Sequence, residues 1–364
     1  MSQQPPEQQP LLSSLPSAFA PPPVLVQAGV DKLKSPVTLD DDTAFPVPTF
    51  TTAYLAKQKR RMPQCIAHRG FKAKFPENTM LAFREAVKAG VHALETDVHI
   101  MRDQVVVLSH DAGLKRCFGV DAKVIDKTWS EIERMSTIAE PHVSMPRLQD
   151  LLEYLATEAD DQWLLLDIKL DNDAEDIMRL MSEVVKSVEP SAGRKGWKDR
   201  IVLGIWAAKY LPLAQKYFNG FPVMHIGFST SYASHFLECP EVGFNMLFPM
   251  LVAPGGQRFL RDVRAAKRKV LSWTVNDEER MSWCIRRRLD GVITDDPSKF
   301  LTVCEKWDEV EDAKRKGWFG LELSFTAYRE IARIWLFIFF ALWWFRARFM
   351  PVASRALIER KEKD

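Results

Sequence analysis

Short apolar runs alternate with amphipathic stretches through the middle of the chain. Runs at 65–68, 93–98, 163–168, 201–205, 223–227, 243–247, 270–275 and 291–294 read as strands buried on both faces. The segments between them carry helical spacing. In 79–89, Leu81, Ala82, Phe83, Ala86 and Val87 supply the apolar side, Asn78-Thr79 an N-cap and Gly90 a C-terminal stop. A strand–helix–strand crossover is right-handed and joins parallel strands. Eight such strands predict a parallel sheet closed as a TIM (β/α)8 barrel, class α/β. The interval 99–162 exceeds an ordinary crossover and predicts a small insertion after the second strand, with the apolar run 105–109 outside the barrel count.

The pattern changes at both ends. Residues 1–61 form an N-terminal tail and linker, disordered where Pro, Gln and Ser dominate, with a short docking piece near 45–55. The barrel is assigned to 62–307 and a membrane anchor to 308–364. Within the anchor, 334–345 is twelve unbroken apolar residues bracketed by Arg333 and Arg346. A helix of that length reaches about 18 Å against a bilayer core of about 30 Å, too short to span comfortably. Trp335, Trp343 and Trp344 suit a membrane interface, and Arg348, Arg355, Arg360, Lys361 and Lys363 add a flank that anionic lipid attracts. The expectation is a membrane-associated helix or hairpin; a helix packed on the barrel exterior or a dimer seam is the alternative.

Composition narrows the picture. In 364 residues, 50 Lys and Arg stand against 48 Asp and Glu, so nothing in the charge points to nucleic acid. Cys65, Cys117, Cys239, Cys284 and Cys304 are scattered and odd in number, which fits thiols of a reducing compartment with no disulfide framework or zinc cluster. No N-terminal stretch has the pattern of a secretory signal. The expectation is an intracellular, membrane-associated protein, on the endoplasmic reticulum, a lipid droplet or a mitochondrial membrane.

Side-chain parity locates candidate chemistry. Glu95 and Asp97 lie two apart on one strand and share a face, whereas Leu94, Thr96 and Val98 share the other. Paired carboxylates repel unless a cation sits between them, although such a pair also occurs at solvated strand edges. Trp163, Leu165, Asp167 and Lys169 repeat the parity, placing a charged pair at the C-terminal end of a strand, where TIM-barrel chemistry sits.

The series His68-Arg69-Gly70, Pro76-Glu77-Asn78-Thr79, Glu95-Thr96-Asp97 and His110-Asp111 resembles the glycerophosphodiester phosphodiesterase family in order and spacing. The resemblance covers about 64–307, with 272–276 and 290–297 similar to the family's last two strands. Segments 71–79, 114–119, 164–169 and 225–229 look like its fungal phosphatidylglycerol phospholipase C branch. The resemblance implies one divalent metal, Mg²⁺ or Ca²⁺, held by Glu95, Asp97 and Asp167. Arg69 and Lys169 would bind the substrate phosphate, and His68 and His110 would act as general base and acid in unassigned order. Asp167 stands where the family usually has Glu, so it is expected to need a shifted strand or a bridging water. Trp273 is a candidate wall for the glycerol moiety or a core tryptophan, and Asp295 and Asp296 read as caps of the final helix.

The expected activity is therefore a phospholipase C acting on the glycerophospholipid phosphatidylglycerol, giving diacylglycerol and glycerol phosphate. A phosphodiesterase of soluble glycerophosphodiesters is the second reading, and a non-catalytic membrane adaptor the third.

Overall fold

A computed structural model describes residues 44–56, 59–253 and 255–308. The apolar run 334–345 and its basic flank lie outside the described residues, as do residues 1–43. Among the described residues, no helix is long and apolar enough to cross a membrane.

The barrel strands are β1 (Gln64–His68), β2 (Ala93–Ile100), β3 (Trp163–Ile168), β4 (Ile201–Ile205), β5 (Val223–Gly227), β6 (Gly243–Leu247), β7 (Val270–Trp273) and β8 (Gly291–Thr294). Each pairs in parallel with its sequence neighbour, and β8 closes the ring onto β1 through Gly291–Gln64 to Thr294–Ala67. Eight parallel strands thus make the predicted closed barrel.

Parity divides each strand between two environments. Ile66, Ala93, Trp163, Leu165, Val202, Met224, Leu271 and Ile293 pack together as the barrel interior. Cys65, Ala67, Leu94, Val98, Leu164 and Leu166 point the other way, into the larger core beneath the helices. Burial of a leucine at such a position contributes about 1.5–3 kcal/mol. Two residues beyond the interior layer on β1, β2 and β3 stand His68, Glu95 and Asp167, so the same period that fills the barrel lines its C-terminal mouth with polar groups.

The opposite mouth is closed by residues 44–56. Phe50 packs edge-on against Trp163 with ring centres 5.7 Å apart. Gln64 joins the two segments, donating to the carbonyls of Phe50 and Thr52 and accepting the Trp163 indole N–H at 2.6 Å. Thr51 is buried there and Phe45 in the larger core beneath the helices, so the packed structure includes residues before Met62.

Helix α1 (Met80–Lys88) begins at Thr79, whose hydroxyl accepts the Ala82 N–H, and stops before Gly90 at φ +89°. The expected insertion follows β2. Its strand Val106–Leu108 pairs antiparallel with the last residues of β2. Helices α2 (Lys115–Phe118) and α3 (Trp129–Ile132) enclose a separate small core of Met101, Val107, Leu114, Val124, Ile132 and Met145. The chain returns to the barrel through α4 (Leu148–Thr157).

Candidate active site

Three buried carboxylates meet at the C-terminal mouth: oxygens of Glu95, Asp97 and Asp167 lie within 4.8 Å of one another. Asp97 is the register partner of Asp167, and from that pairing the Asp167 carboxylate reaches the cluster. Lys169 bridges the pair, its Nζ 2.6 Å from Asp97 Oδ1 and 2.7 Å from Asp167 Oδ2. The Arg69 amide donates to Glu95 Oε2 at 2.9 Å, and its Nε lies 3.2 Å from Asp97 Oδ2.

The charges in this cluster do not balance. Burial disfavours ionised Asp97, but Lys169 and Arg69 outweigh it and hold the carboxyl well below its usual range. Burial and the charges of Asp97 and Asp167 push Glu95 well above its usual value. Burial also raises Asp167, against the pull of Lys169. Arg69 is shared with Glu77 at 2.8 Å, which leaves the three carboxylates short of positive charge. An all-oxygen set of this kind fits a hard divalent cation, and its ligands would be Glu95, Asp97 and Asp167.

Both histidines are tied to carboxylates through Nδ1. His68 lies 2.6 Å from Asp295 Oδ1, and His110 lies 2.7 Å from Asp111 Oδ1. A neutral imidazole that donates Nδ1–H to a carboxylate presents an unprotonated Nε2. Burial lowers the pKa of each ring, more than the neighbouring carboxylates restore, so the neutral form is favoured. Asp295 is therefore not a helix cap. Asp296 alone caps the last helix, Pro297–Lys306, by accepting the Lys299 N–H. Asn276 fixes Asp295 by donating to its Oδ2 at 2.7 Å and accepting its backbone N–H. Burial opposes ionisation of Asp295, but the His68 hydrogen bond and charge dominate and bring its pKa down to about 2.

A second tier of polar residues comes from the loop before α1 and from the insertion. Asn78 donates to Asp97 Oδ2 at 2.9 Å and accepts from Thr96, so the outward-facing threonine of the β2 motif braces the inward-facing aspartate. Arg116 on α2 donates to both Glu77 oxygens and to Asp111 Oδ2 at 2.6 Å. One guanidinium thereby joins the partner of Arg69 to the partner of His110. Burial would raise Glu77, yet hydrogen bonds and charge from Arg116 and Arg69 hold it at about 2.

Trp273 stands at the end of β7 with its indole N–H on the Asn245 carbonyl and its ring edge-on to Trp206, centres 5.6 Å apart. Trp206 in turn donates to Asp167 Oδ1 at 2.6 Å and packs near Phe228. The mouth thus has an aromatic wall directly bonded to one of the carboxylates.

The model of the "Glycerophosphoryl diester phosphodiesterase family" matches residues 68–299. The chain belongs to this family. It is a phosphodiesterase, a hydrolase of phosphoric diesters. It is 25% identical over 256 residues to the glycerophosphodiester phosphodiesterase of Bacillus altitudinis, covering 67% of this chain and 99% of that one. It is 32% identical over 147 residues to human lysophospholipase D GDPD1, covering 37% of this chain and 45% of that one. A phosphodiesterase of Oleispira antarctica, solved with the product sn-glycerol-3-phosphate, has the same fold: TM-score 0.58, 22% identity, 67% of this chain and 98% of that one.

In this phosphodiesterase the structure brings Arg69, Glu95, Asp97, Asp167 and Lys169 into one bonded cluster, with His68 beside it, bonded to Asp295 and within reach of the Arg69 and Asp97 charges. His110 joins through Asp111 and Arg116. Sequence reasoning missed the parts played by Glu77, Asn78, Asp295 and Trp206. The first two lie inside the Pro76–Thr79 motif and were legible as polar residues beside a site; Trp206 carries no local signal.

Proposed function

We propose that this phosphodiesterase is a phospholipase C acting on phosphatidylglycerol, releasing diacylglycerol and glycerol phosphate. The carrying observation is the makeup of the mouth: two imidazoles held by carboxylates, two cations and three convergent carboxylates, with neither serine nor cysteine bonded to the carboxylate cluster among the described residues. Such a site suits a substrate that brings its own nucleophile, and the glycerol headgroup has a hydroxyl beside its phosphoester.

Arg69 and Lys169 would hold the phosphate oxygens, the first as a planar fork and the second as a point charge. One histidine, neutral with its Nε2 free, takes the headgroup hydroxyl proton as that oxygen bonds to phosphorus; the other enters the step as imidazolium and gives its Nε2 proton to the diacylglycerol oxygen as its bond to phosphorus breaks. Water then opens the cyclic glycerol phosphate with the two proton transfers reversed. Mg²⁺ or Ca²⁺ bound by Glu95, Asp97 and Asp167 would add positive charge against the phosphoryl oxygens. The apolar run 334–345, with its tryptophans and arginines, is proposed to keep the enzyme on an intracellular membrane where this lipid is found.

The likeness to a lysophospholipase D supports a second reading, in which the alcohol on the other side of the phosphate leaves from a lysolipid or a soluble glycerophosphodiester. Mass spectrometry of products from mixed liposomes with Mg²⁺ or Ca²⁺ separates the two. Diacylglycerol with glycerol phosphate, lost in His68→Ala, is the expected result. Release of free glycerol with a phosphorylated acylglycerol would replace the first reading by the second. Deleting 321–364 is expected to abolish turnover in liposomes while soluble diesters are still cleaved.

A further inference from the structure

A phosphodiester has two arms, and the aromatic wall of Trp206 and Trp273 accounts for one of them. Beside the mouth, across the Arg69–Glu77 ion pair, the 72–77 loop and the insertion line an open pocket of about 330 Å³. Glu77 and Arg116 form part of its wall. The same Glu77 carboxylate accepts from Arg69, which lies 3.2 Å from Asp97, so the cavity abuts the phosphate-binding side of the cluster. Lys72, also on the wall, is 3.7 Å from the Asp295 carboxylate that holds His68.

Apart from Lys74, Thr137 and Glu140, its remaining lining residues are apolar. Phe75 and Pro76 contribute from the barrel loop, Ile138 and Ala139 from the insertion. Ile138 is 59% exposed, one of four exposed large apolar side chains among the described residues. Single exposed apolar residues need no explanation, but this one borders a cavity beside a phosphate site. At about 330 Å³ the space is at the small end of ligand sites, enough for a glycerol backbone and the first carbons of a chain. A longer chain would leave across Ile138.

We infer that the cavity between the 72–77 loop and the insertion receives the acylated glycerol arm of the substrate, and that Ile138 and Ala139 set the preference for acylated over deacylated diesters. This rests on the lipid reading above. Only the carbon-bearing arm has a use for the Phe75, Pro76 and Ile138 surface, whereas a second glycerol would leave it wet.

The test compares kcat/KM for lysophosphatidylglycerol and for deacylated glycerophosphoglycerol in the full chain. Ile138→Ser and Ala139→Trp remove apolar surface and fill space, respectively. Each is expected to lower the acylated-to-deacylated ratio at least about tenfold, the scale of losing hydrophobic pocket contacts. Leu55→Ser, at the other end of the barrel and 71% exposed, should leave the ratio unchanged. A ratio unmoved in both cavity variants overturns the inference, whether or not the absolute rates fall. If the wild type cleaves only the deacylated diester, the lipid reading fails. The cavity is then judged by inhibition: weaker inhibition by the lysolipid in Ile138→Ser supports it, and no inhibition of the wild type overturns it.

Discussion

Asp295 and His68 sit 2.6 Å apart, and that bond sets the imidazole's tautomer and direction. Asp295→Asn keeps the shape but offers an amide where a charge was, and kcat/KM is expected to fall by about 10²–10⁴ with the melting temperature little changed. Arg116→Ala releases Glu77 and Asp111 together, and should cost roughly 10- to 100-fold in kcat; in a double variant with Asp111→Asn the losses should be less than multiplicative. The adjacent pair Asp295 and Asp296 shows the limit of local reading. Both precede Pro297 in a pattern that signals a helix start, and one of them caps that helix. The other turns to a histidine 227 positions earlier, a partner that no local window contains.

His225 gives a pH dependence of stability. It is buried among Phe236 and Tyr232, and burial drops its pKa from the ordinary value near 6.5 to about 3, despite the hydrogen bond its Nδ1–H donates to the Ile205 carbonyl. Above pH 6.5 neither folded nor unfolded chain protonates it. Between pH 6.5 and 3 only the unfolded chain does, so stability falls with acidification, by up to about 1.4 kcal/mol per pH unit from this group. His225→Leu should reduce that slope in denaturant titrations across pH 6.5 to 4, and an unchanged slope would assign the acid sensitivity elsewhere.

At the scale of elements, the turn after β1 governs the site. Arg69 and Gly70 are both left-handed, with φ of 56° and 81°. A Cβ on Gly70 would meet the backbone carbon of Ala82 at 2.7 Å, so neither its conformation nor its contact with α1 admits a side chain. Gly70→Ala is expected to destabilise by roughly 3 kcal/mol in urea unfolding and to displace Arg69, with activity falling accordingly. The strands themselves were legible because period-two alternation and unbroken apolar runs are written locally. The insertion was legible as excess length, one short apolar run and the His110-Asp111 motif. Its link to the site runs through Arg116, and a lone arginine on a four-residue helix has no pattern that announces two carboxylate partners.

For the whole molecule, closing the barrel concentrates like charges on β2 and β3, and a bound cation should relieve them. Addition of Mg²⁺ or Ca²⁺ is expected to raise the melting temperature, with stabilisation of about 2.7 kcal/mol at a hundred times the dissociation constant. Glu95→Gln should flatten that response, and a wild type insensitive to both ions would refute the assigned ligands.

Sequence by itself determined the eight strands, their parity and hence which side chains enter the mouth, because these depend on periodicity over a few residues. It also carried the family's motifs in order. The tertiary structure alone decided which of those side chains are bonded to each other. Asp97 and Asp167 became partners through strand register, His68 and Asp295 through closure of β8 onto β1, and Trp206 joined Asp167 across β3 and β4. Those contacts arise between distant segments brought side by side, and their geometry is set by the closed sheet.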